Sequence, residues 1–311
     1  MLFSIAIPAY KAQYLEECLS SILSQTYPHY EVVIVDDASP EDLKSIVEKF
    51  NDSRIRYYRN LNNYGAINVV DNWNKCLEYC NGKYVICMGD DDRLTPHCLD
   101  NYVSLINKYP GLGLYHTQAE IIDGDSEFVD CLTCRPEFES AWSLMWHRWK
   151  GRKQYIGDFC YDTERIKRNG GFYKLPLAWA SDDISAIIAS RDTGVANTQV
   201  VGFQYRTNRQ TISRTGNVQI KIAAMLEERG WYEQFLKILP ENDQDQKYRK
   251  SALSMLPHYY KKKIIYTIVD DLNDGWFLNK AAKWFRLRKK YNISIKEYIY
   301  ALITTIRVKN M

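Results

Sequence analysis

The sequence has no apolar run long enough to cross a membrane and no recognisable secretion signal. A membrane-spanning helix needs about 20 apolar residues, and the best late stretch, residues 298–306, is less than half of that length. Met1 is followed directly by LFSIAIPAY, without the basic segment and small-residue cleavage site of a secreted precursor. These absences predict a cytoplasmic protein without a transmembrane anchor.

Glycine-rich phosphate-binding motifs are also missing. Gly111 and Gly113 lack the third glycine of a dinucleotide-binding loop, because His116 stands at that position. The sequence contains no G-x-x-x-x-G-K-[ST], H-E-x-x-H or G-x-S-x-G, so it lacks the signatures of P-loop proteins, zinc proteases of that type and α/β-hydrolases. A phosphate-bearing ligand would therefore need a metal ion in place of a glycine-rich loop.

The eight cysteines do not form the pattern of a metal or redox centre. Cys131 and Cys134 make one C-x-x-C without a second pair, which is a weak signal for zinc. Most of the others lie in apolar segments, as thiols do in a reducing compartment. We interpret them as structural or incidental thiols.

The composition is that of a globular protein, but its charge is unevenly distributed. The chain has 311 residues, of which 46% are apolar and 25% charged, so disorder of the whole chain is excluded. Residues 247–311 contain 15 basic and 4 acidic residues, a balance of +11. The preceding residues contain 26 basic and 34 acidic residues, a balance of −8. An acidic body therefore precedes a basic tail.

Strands and helices alternate through the first 120 or so residues by their hydrophobic periodicity. Buried strands are predicted at residues 2–7 (ended by Pro8), 31–35, 55–58, 84–88 and 113–116. Amphipathic helices are predicted between them at residues 15–23, 39–50 (capped by Ser39), 66–80 and 95–106. This order predicts an α/β fold with a parallel, doubly wound sheet, whose ligands bind at the carboxyl ends of the strands.

Aspartates follow two of these strand ends. Asp36 and Asp37 come after the second strand, and Asp90, Asp91 and Asp92 come after Met88 and Gly89. Carboxylate oxygens in such a position suit Mg²⁺ or Mn²⁺ held jointly with a substrate phosphate. The alternative is a solvated acidic loop, since aspartate is common in turns. We favour the metal for the triple aspartate and leave both interpretations open for Asp36 and Asp37.

Two segments resemble the inverting family 2 glycosyltransferases of the GT-A fold. They are SIAIPAYKAQYLEECLSSILSQTYPHYEVVIVDDAS and NWNKCLEYCNGKYVICMGDDDRLTP. The resemblance implies a glycosyltransferase domain at residues 1–215, with a nucleotide-binding half at 1–100 and an acceptor and catalytic half at 101–215. Residues 216–311 would be a helical, basic extension.

The resemblance also implies roles for individual residues of the first half. Pro8, Tyr10 and Asp37 would bind the nucleotide, and Asp90 would face the ribose. Asp91 would hold the Mn²⁺ or Mg²⁺ that bridges the diphosphate. The chain departs from the family pattern at Gly89, which replaces the first aspartate of D-x-D, and at Lys11, where asparagine is usual.

A second segment supplies the base that sugar transfer with inversion requires. Gly170, Gly171 and Phe172, followed by Asp182 and Asp183, resemble the family's G-G-F and E-D motifs. The resemblance places the catalytic base on Asp183, with Asp182 as the alternative, and adjacent carboxylates shift each other's pKa. The other interpretation is that these acids, with Ser181, only cap the following helix.

Arg206 belongs to a segment that resembles the family's Y-R-x-H, in which Asn208 replaces the histidine. Arg206 could contact the donor phosphate, or it could form a structural salt bridge, and the sequence leaves both open. Trp142, Trp146 and Tyr155, with Trp149, could stack on sugars. Their spacing favours helix core for Trp142 and Trp146.

The tail after residue 220 is predicted to be helical, in five short segments at 223–231, 232–239, 248–256, 262–272 and 276–291. In the last segment Trp276, Phe277, Trp284 and Phe285 alternate with basic residues, which predicts binding to an anionic membrane surface. The alternative is a structural cap with a basic face. No nucleic-acid-binding motif accompanies the charge, so nucleic acid is not expected as a partner.

Together these patterns predict a metal-dependent inverting glycosyltransferase. It would move a sugar from a nucleotide donor, with UDP as first choice, to a glycan or lipid-linked acceptor in surface-polysaccharide synthesis. We expect it in the cytoplasm, peripheral to the inner face of the membrane. The alternatives are an inactive membrane-associated scaffold of the same fold and a sugar nucleotidyltransferase.

Overall fold

The computed structural model describes residues 1–207 and 217–309. The chain divides into two compact units, Met1–Thr215 and Gly216–Met311. The first unit contains an α/β sheet, and the second consists of helices. The predicted α/β class with a helical C-terminal region is confirmed.

One ten-stranded sheet organises the first unit. Its strands are β1 (Phe3–Ala9), β2 (Tyr30–Asp36), β3 (Ile55–Arg59), β4 (Tyr84–Cys87), β5 (Arg93–Leu94), β6 (Leu114–Ile122), β7 (Phe128–Cys131), β8 (Phe138–Glu139), β9 (Phe159–Asp162) and β10 (Val195–Arg206). The described helices of this unit are α1 (Leu15–Leu23), α2 (Leu43–Glu48), α3 (Val69–Tyr79), α4 (Cys98–Lys108), α5 (Ala141–Trp149), α6 (Thr163–Arg168) and α7 (Ser181–Ser190). Short 3₁₀ turns occur at Ala66–Asn68, Ile156–Asp158 and Pro176–Ala178.

The strands run in the order β3-β2-β1-β4-β9-β6-β10-β5, with β7 beside β6 and β8 beside β10. The first four are parallel, as predicted. Beyond β4 the sheet is mixed, because β9 runs antiparallel to both β4 and β6, while β6 and β10 are parallel. The side chains of β1, β2 and β4 are almost all buried, since helices cover both faces of this part of the sheet.

The register of the central strands brings their carboxyl ends together. Ala9 at the end of β1 pairs with Asp36 at the end of β2, and Cys87 at the end of β4 pairs with Ala6 of β1. The loops that carry Asp37 and Asp90–Asp92 therefore leave the sheet side by side. This is the edge at which ligands bind in such folds.

Two predicted element ends were wrong. β1 continues through Pro8 to Ala9, because its pairing with β4 ends at Ala6 and proline interrupts no ladder on that side. Helix α2 begins at Leu43 with Asp42 as its cap. Ser39 does not cap it: its hydroxyl accepts from the Glu41 N–H at 3.1 Å, ahead of the helix, and donates to the Tyr10 carbonyl at 2.6 Å.

The second unit contains four described helices, fewer and longer than predicted. They are α8 (Val218–Phe235), α9 (Asp243–Asn273), α10 (Phe277–Leu287) and α11 (Ile295–Lys309). Helix α9 continues through Pro257, where the sequence predicted a break. Trp284 was expected on the membrane-binding face, but it is buried and its indole N–H donates to Asp271 at 2.7 Å. Among the residues that the structure describes, no helix has the length and apolar character required to span a bilayer.

Candidate active site

A cavity of about 540 Å³ lies at the carboxyl ends of β1, β2 and β4. The residues that were predicted to bind donor or metal and that line it are Pro8, Tyr10, Asp37, Asp90 and Asp91. Asp182, the alternative base, lines it as well. Asp183 and Arg206 are the predicted site residues that do not. The structure thus brings residues from four separate chain segments to one cavity.

Asp37 is fixed by the loop that follows β3. Its carboxylate accepts hydrogen bonds from the Asn60 side-chain amide at 3.0 Å and from the backbone N–H groups of Tyr64 at 2.9 Å and Gly65 at 3.2 Å. Asp36 points elsewhere: it is fully buried and accepts hydrogen bonds from Tyr57 and Arg59. Of this pair, only Asp37 lines the cavity.

Asp90 joins the loop after β4 to the loop after β1. One of its carboxylate oxygens accepts from the backbone N–H groups of Tyr10 at 2.6 Å and Lys11 at 2.7 Å. Burial and the neighbouring charge of Asp91 raise the pKa of Asp90 to about 6. Asp90 therefore sets the shape of the cavity wall through the backbone of two cavity residues.

Asp92 is also tied to backbone. It accepts from the Arg206 N–H at 2.9 Å and from the Gly89 N–H at 3.3 Å. Burial, followed by the charge of Asp91, raises the pKa of Asp92 well above its ordinary value. Asp91 lies between these two buried acids on the cavity wall.

The space around Gly89 explains why the first aspartate of D-x-D is missing. A Cβ at this position would lie 2.8 Å from an Asp91 carboxylate oxygen and 2.9 Å from one of Asp92. Both distances are shorter than van der Waals contact, so a larger residue would displace the carboxylates. Glycine at this position lets the Asp91 and Asp92 carboxylates stay where they are.

The carboxylate oxygens of this loop suit a divalent cation that is shared with a bound ligand. Asp91 offers carboxylate oxygens on the cavity wall, which Mg²⁺ and Mn²⁺ prefer. Within residues 1–207 and 217–309 there is no cluster of three or more His, Cys, Asp or Glu side chains arranged to hold a metal. Most of the coordination of a cation at Asp91 would thus have to come from ligand oxygens and water.

Arg206, for which the sequence left donor contact and a structural salt bridge both open, has the contacts of a buried structural residue. It is 1% exposed. Its guanidinium donates to the Asp91 carbonyl at 2.7 Å, the Asp123 carbonyl at 2.9 Å and Glu17 at 2.9 Å. These contacts use its nitrogens away from the cavity, so the salt-bridge interpretation fits the structure. Asn208 lies outside the described residues.

Asp182 and Asp183 start α7 but have different surroundings. Asp183 accepts hydrogen bonds from the Arg148 guanidinium at 2.7 Å and the Gln154 amide at 2.8 Å. Asp182 lines the cavity. Burial and the charge of Asp183 raise the pKa of Asp182 to about 8. The residue at the N-cap is Ala180, which argues against a mere capping role for the two acids.

The loop before α7 has an unusual backbone that the sequence did not reveal. Leu177, Ala178 and Ala180 have φ values of 62°, 51° and 58°, in the left-handed region that residues with a Cβ rarely adopt. Leu177 and Ala178 line the cavity next to Asp182. Strain of this kind is often found at functional sites.

The cavity wall also carries an aromatic pair, of which the sequence predicted only one member. Tyr155 and Tyr205 stack with ring centroids 3.7 Å apart, and both line the cavity together with Trp73. Tyr155 belonged to the predicted aromatic cluster, but no local signal singled out Tyr205. In contrast, Trp142 and Trp149 are buried within the protein, in agreement with the helix-core interpretation for Trp142.

Comparison with known proteins identifies the family. Residues 4–160 match the family model described as "Glycosyl transferase family 2". The chain is 30% identical over 126 residues to the Escherichia coli UDP-Glc:alpha-D-GlcNAc-diphosphoundecaprenol beta-1,3-glucosyltransferase WfgD, a match that covers 40% of this chain and 48% of the relative. It is 36% identical over 95 residues to the putative teichuronic acid biosynthesis glycosyltransferase TuaG of Bacillus subtilis, covering 30% of this chain and 36% of the relative. The match thus spans less than half the length of each of these relatives.

Solved structures share the fold. The chain resembles S. aureus TarS 1-349 in complex with UDP-GlcNAc, with a TM-score of 0.66, 17% identity, and coverage of 99% of this chain and 81% of that one. It also resembles the mannosyltransferase PcManGT from Pyrobaculum calidifontis in complex with GDP-Man and Mn²⁺, with a TM-score of 0.54, 17% identity, and coverage of 99% and 86%. At these identities the likeness concerns the fold alone, and it agrees with the GT-A architecture expected from the sequence.

Proposed function

Because this chain belongs to glycosyltransferase family 2, we propose that it transfers a sugar from a nucleotide-sugar donor to a glycan or lipid-linked acceptor, with inversion at the anomeric carbon. The observation that carries the proposal is the meeting of Asp37, Asp91 and Asp182 in one cavity. Asp37 would contact the nucleobase of a nucleotide sugar, Asp91 would lie at its diphosphate, and Asp182 would lie at the reacting carbon.

The donor is a UDP-sugar in this proposal. Asp37 is held rigidly at the end of β2 and keeps acceptor oxygens that can bind the N–H of a nucleobase. Pro8 and Tyr10 flank the same part of the cavity and offer apolar surface to a base. One relative is named for transfer from UDP-Glc, and one structural neighbour was solved with UDP-GlcNAc, which supports this choice.

Asp91 would hold Mn²⁺ or Mg²⁺ together with the donor diphosphate. When bound, the cation would neutralise the negative charge that the departing nucleoside diphosphate acquires. The chain's own residues prepare this position. Asp90 orders the Tyr10–Lys11 backbone, and Arg206 holds the Asp91 carbonyl and, through its own N–H, Asp92.

The Asp182–Asp183 pair would supply the general base. In a single displacement the base accepts the proton of the acceptor hydroxyl while that oxygen attacks the anomeric carbon and the diphosphate leaves. The cavity position and raised pKa of Asp182 favour it as the base, with Asp183 as the partner that raises this pKa. This choice departs from the family resemblance, which points to Asp183.

The setting that we propose is surface-polysaccharide synthesis at the cytoplasmic face of the membrane, with peripheral attachment through the basic C-terminal helices. The name of the WfgD relative, which includes a diphosphoundecaprenol-linked sugar, supports a lipid-linked acceptor, and the name of the TuaG relative, a putative teichuronic acid biosynthesis enzyme, supports polysaccharide synthesis. The excess of basic residues in the tail supports attraction to anionic lipid.

A thermal-shift panel tests the donor and the metal together. UDP-, GDP-, CMP- and dTDP-sugars are compared with and without Mn²⁺, since a ligand that binds only the native state raises its Tm. We expect the largest Mn²⁺-dependent rise with a UDP-sugar, and loss of that rise in Asp91→Ala. Asp125→Ala removes an exposed acid of the same unit and should leave it unchanged. An equal metal-dependent rise in Asp91→Ala would refute the metal position.

A further inference from the structure

We propose that the outward face of α11 docks the C-terminal unit onto an anionic lipid surface. This inference rests on the peripheral location proposed above and names the element and the chemistry of the partner. It adds a second apolar element to the sequence-based expectation, which combined basic attraction with aromatic insertion in residues 276–291.

Helix α11 has two apolar faces, and only one of them is buried within the unit. Tyr298, Ala301 and Thr305 lie at the buried face, between 0% and 9% exposed. A second row of branched apolar side chains is 45–54% exposed, namely Ile295, Ile299, Ile303 and Ile306. At about 100° per residue these four lie within about 80° of arc, so they form one continuous stripe. We call this row the isoleucine stripe.

Basic residues flank the isoleucine stripe. Lys296 and Arg307 are exposed on α11, next to the stripe by helical position. Helix α10 packs against α11, since the Tyr298 hydroxyl donates to the Ala281 carbonyl at 2.8 Å and the Phe285 ring lies 5.7 Å from the Tyr298 ring. Four further basic residues are exposed on or just after α10, namely Lys283, Arg286, Lys289 and Lys290.

An apolar stripe bordered by lysine and arginine is typical of helices that lie in the lipid headgroup region. The apolar residues gain from leaving water, and each basic residue near an anionic surface adds attraction. Leu278 and Phe285 of α10 are also exposed, and the Arg288 guanidinium lies 4.6 Å from the centre of the Phe285 ring. Charge also argues against a second copy of this chain as the occupant, because two tails of balance +11 would repel each other.

The test uses the full chain and vesicles of phosphatidylcholine with or without phosphatidylglycerol. The double variant Ile299→Ser and Ile303→Ser removes apolar surface without changing charge. The matched control, Leu239→Ser and Leu253→Ser, changes two exposed leucines of the same unit, which are 68% and 43% exposed. Vesicle cosedimentation at low and high salt measures binding, and circular dichroism verifies that each variant is folded.

We expect the wild-type chain to bind phosphatidylglycerol vesicles at low salt and only weakly to bind phosphatidylcholine alone. The stripe variant should bind at least about tenfold more weakly, and the control should bind as the wild type does. A second pair, Ile295→Ser and Ile306→Ser, should behave like the first. Because no donor or acceptor is present, this result is independent of whether transfer activity has been correctly assigned.

Three outcomes would overturn the proposal. One is equal vesicle binding by the wild-type chain and both stripe variants. Another is equal loss in the stripe variants and the control, which would mean that the stripe has no special role. The third is a lipid-free dimer, detected by analytical ultracentrifugation, that the stripe variants convert to monomer. That result would make a second copy the occupant of the stripe.

Discussion

The two carboxylates at the start of α7 differ in what they contact, and this difference bears on which one can accept a proton. Asp183 receives hydrogen bonds from Arg148 and Gln154, so two protein donors already occupy its carboxylate, and it does not line the cavity. Asp182 lines the cavity, and its pKa is raised to about 8 by burial and by Asp183. A base with a pKa near the working pH is the more efficient one.

We therefore expect Asp182→Asn to lower kcat/KM by about 10²–10⁴-fold while nucleotide binding stays nearly unchanged. The wild-type kcat/KM should rise with pH up to about 8, because the base must be ionised, and the variant should lack this rise. Initial rates across pH measure both effects. Asp183→Asn is the comparison: a larger loss there would move the base to Asp183 and leave the reaction type unchanged.

A second prediction concerns Gly89. Gly89→Ala should weaken the Mn²⁺-dependent stabilisation by nucleotide sugar at least about tenfold in apparent affinity, since the added Cβ must push aside the carboxylates of Asp91 and Asp92. Thermal-shift titration measures this affinity. Gly230→Ala adds the same Cβ where no atom lies within 4 Å, and it should have no such effect. Unchanged affinity in Gly89→Ala would mean that the loop can rearrange without loss.

At this scale the sequence predicted which acids matter but not how each one is used. The strand-end rule and the family motifs led to Asp37, Asp90, Asp91 and the Asp182–Asp183 pair. The direction of each side chain depends on backbone turns, such as the one with left-handed Leu177, Ala178 and Ala180, and on partners distant in sequence. Arg206 shows this best, since its partner Glu17 lies 189 residues away.

At the scale of elements, the end of β10 holds several loops together through Arg206. Its guanidinium contacts α1 through Glu17, the β6–β7 turn through Asp123 and Ser126, and the loop after β4 through the Asp91 carbonyl. A buried guanidinium with so many partners leaves several polar groups unsatisfied when it is removed.

Arg206→Met should consequently lower the free energy of unfolding by about 3 kcal/mol or more and weaken donor binding through the Asp91 loop. Urea unfolding and thermal-shift titration measure the two effects. The matched control is Arg229→Met, which removes an exposed pair with Glu233 at 2.8 Å on α8 and should cost about 0.5 kcal/mol or less. Similar costs for both variants would contradict the linking role of Arg206.

Element type was predictable where the hydrophobic period was clear, and element ends were not. The strands β1 to β4 and helices α1 to α4 lie close to their predicted positions because burial on both faces of the sheet leaves a strong pattern. α9 was predicted in two pieces because local propensity places a break at Pro257. In the structure its buried residues, from Ala252 to Leu272, lie on both sides of the proline, so packing maintains one helix.

At the scale of the whole chain, the fold class and the acidic body with its basic tail followed from the sequence. The position of β9 between β4 and β6 did not, because nothing local indicates that a strand from residue 159 onward inserts there. The isoleucine stripe was missed because the sequence analysis placed its last helix at residues 276–291 and predicted none at Ile295–Lys309, where the structure has one.

Buried acids give the whole molecule a pH dependence whose sign can be derived. Burial, opposed by Arg135, raises the pKa of Asp158 to about 7, and that of Asp182 is about 8. Both lie above the ordinary value of aspartate near 4. Between the unfolded pKa near 4 and the folded pKa values of about 7 and 8, the folded protein binds more protons than the unfolded chain, so the stability from these groups falls across that interval and levels off above it. His116, which is buried with a lowered pKa, has the opposite effect, but only below about pH 6.5.

We therefore expect the free energy of unfolding of the metal-free protein to fall from about pH 6.5, above which His116 no longer opposes the effect, to about pH 8, and to level off at higher pH. Each group contributes up to about 1.4 kcal/mol per pH unit within its own range. Acids with lowered pKa values, such as Glu31 and Asp52, do not interfere, because their contribution is lost only at acidic pH. Urea titrations across this range measure the slope. Asp182→Asn should flatten it near pH 8, and Asp125→Asn, which changes an exposed acid, should leave it as in the wild type. If the free energy of unfolding of the wild type rose through this range instead, the pKa values of Asp158 and Asp182 would not be raised in the folded protein. That result would remove the physical basis for choosing Asp182 as the base.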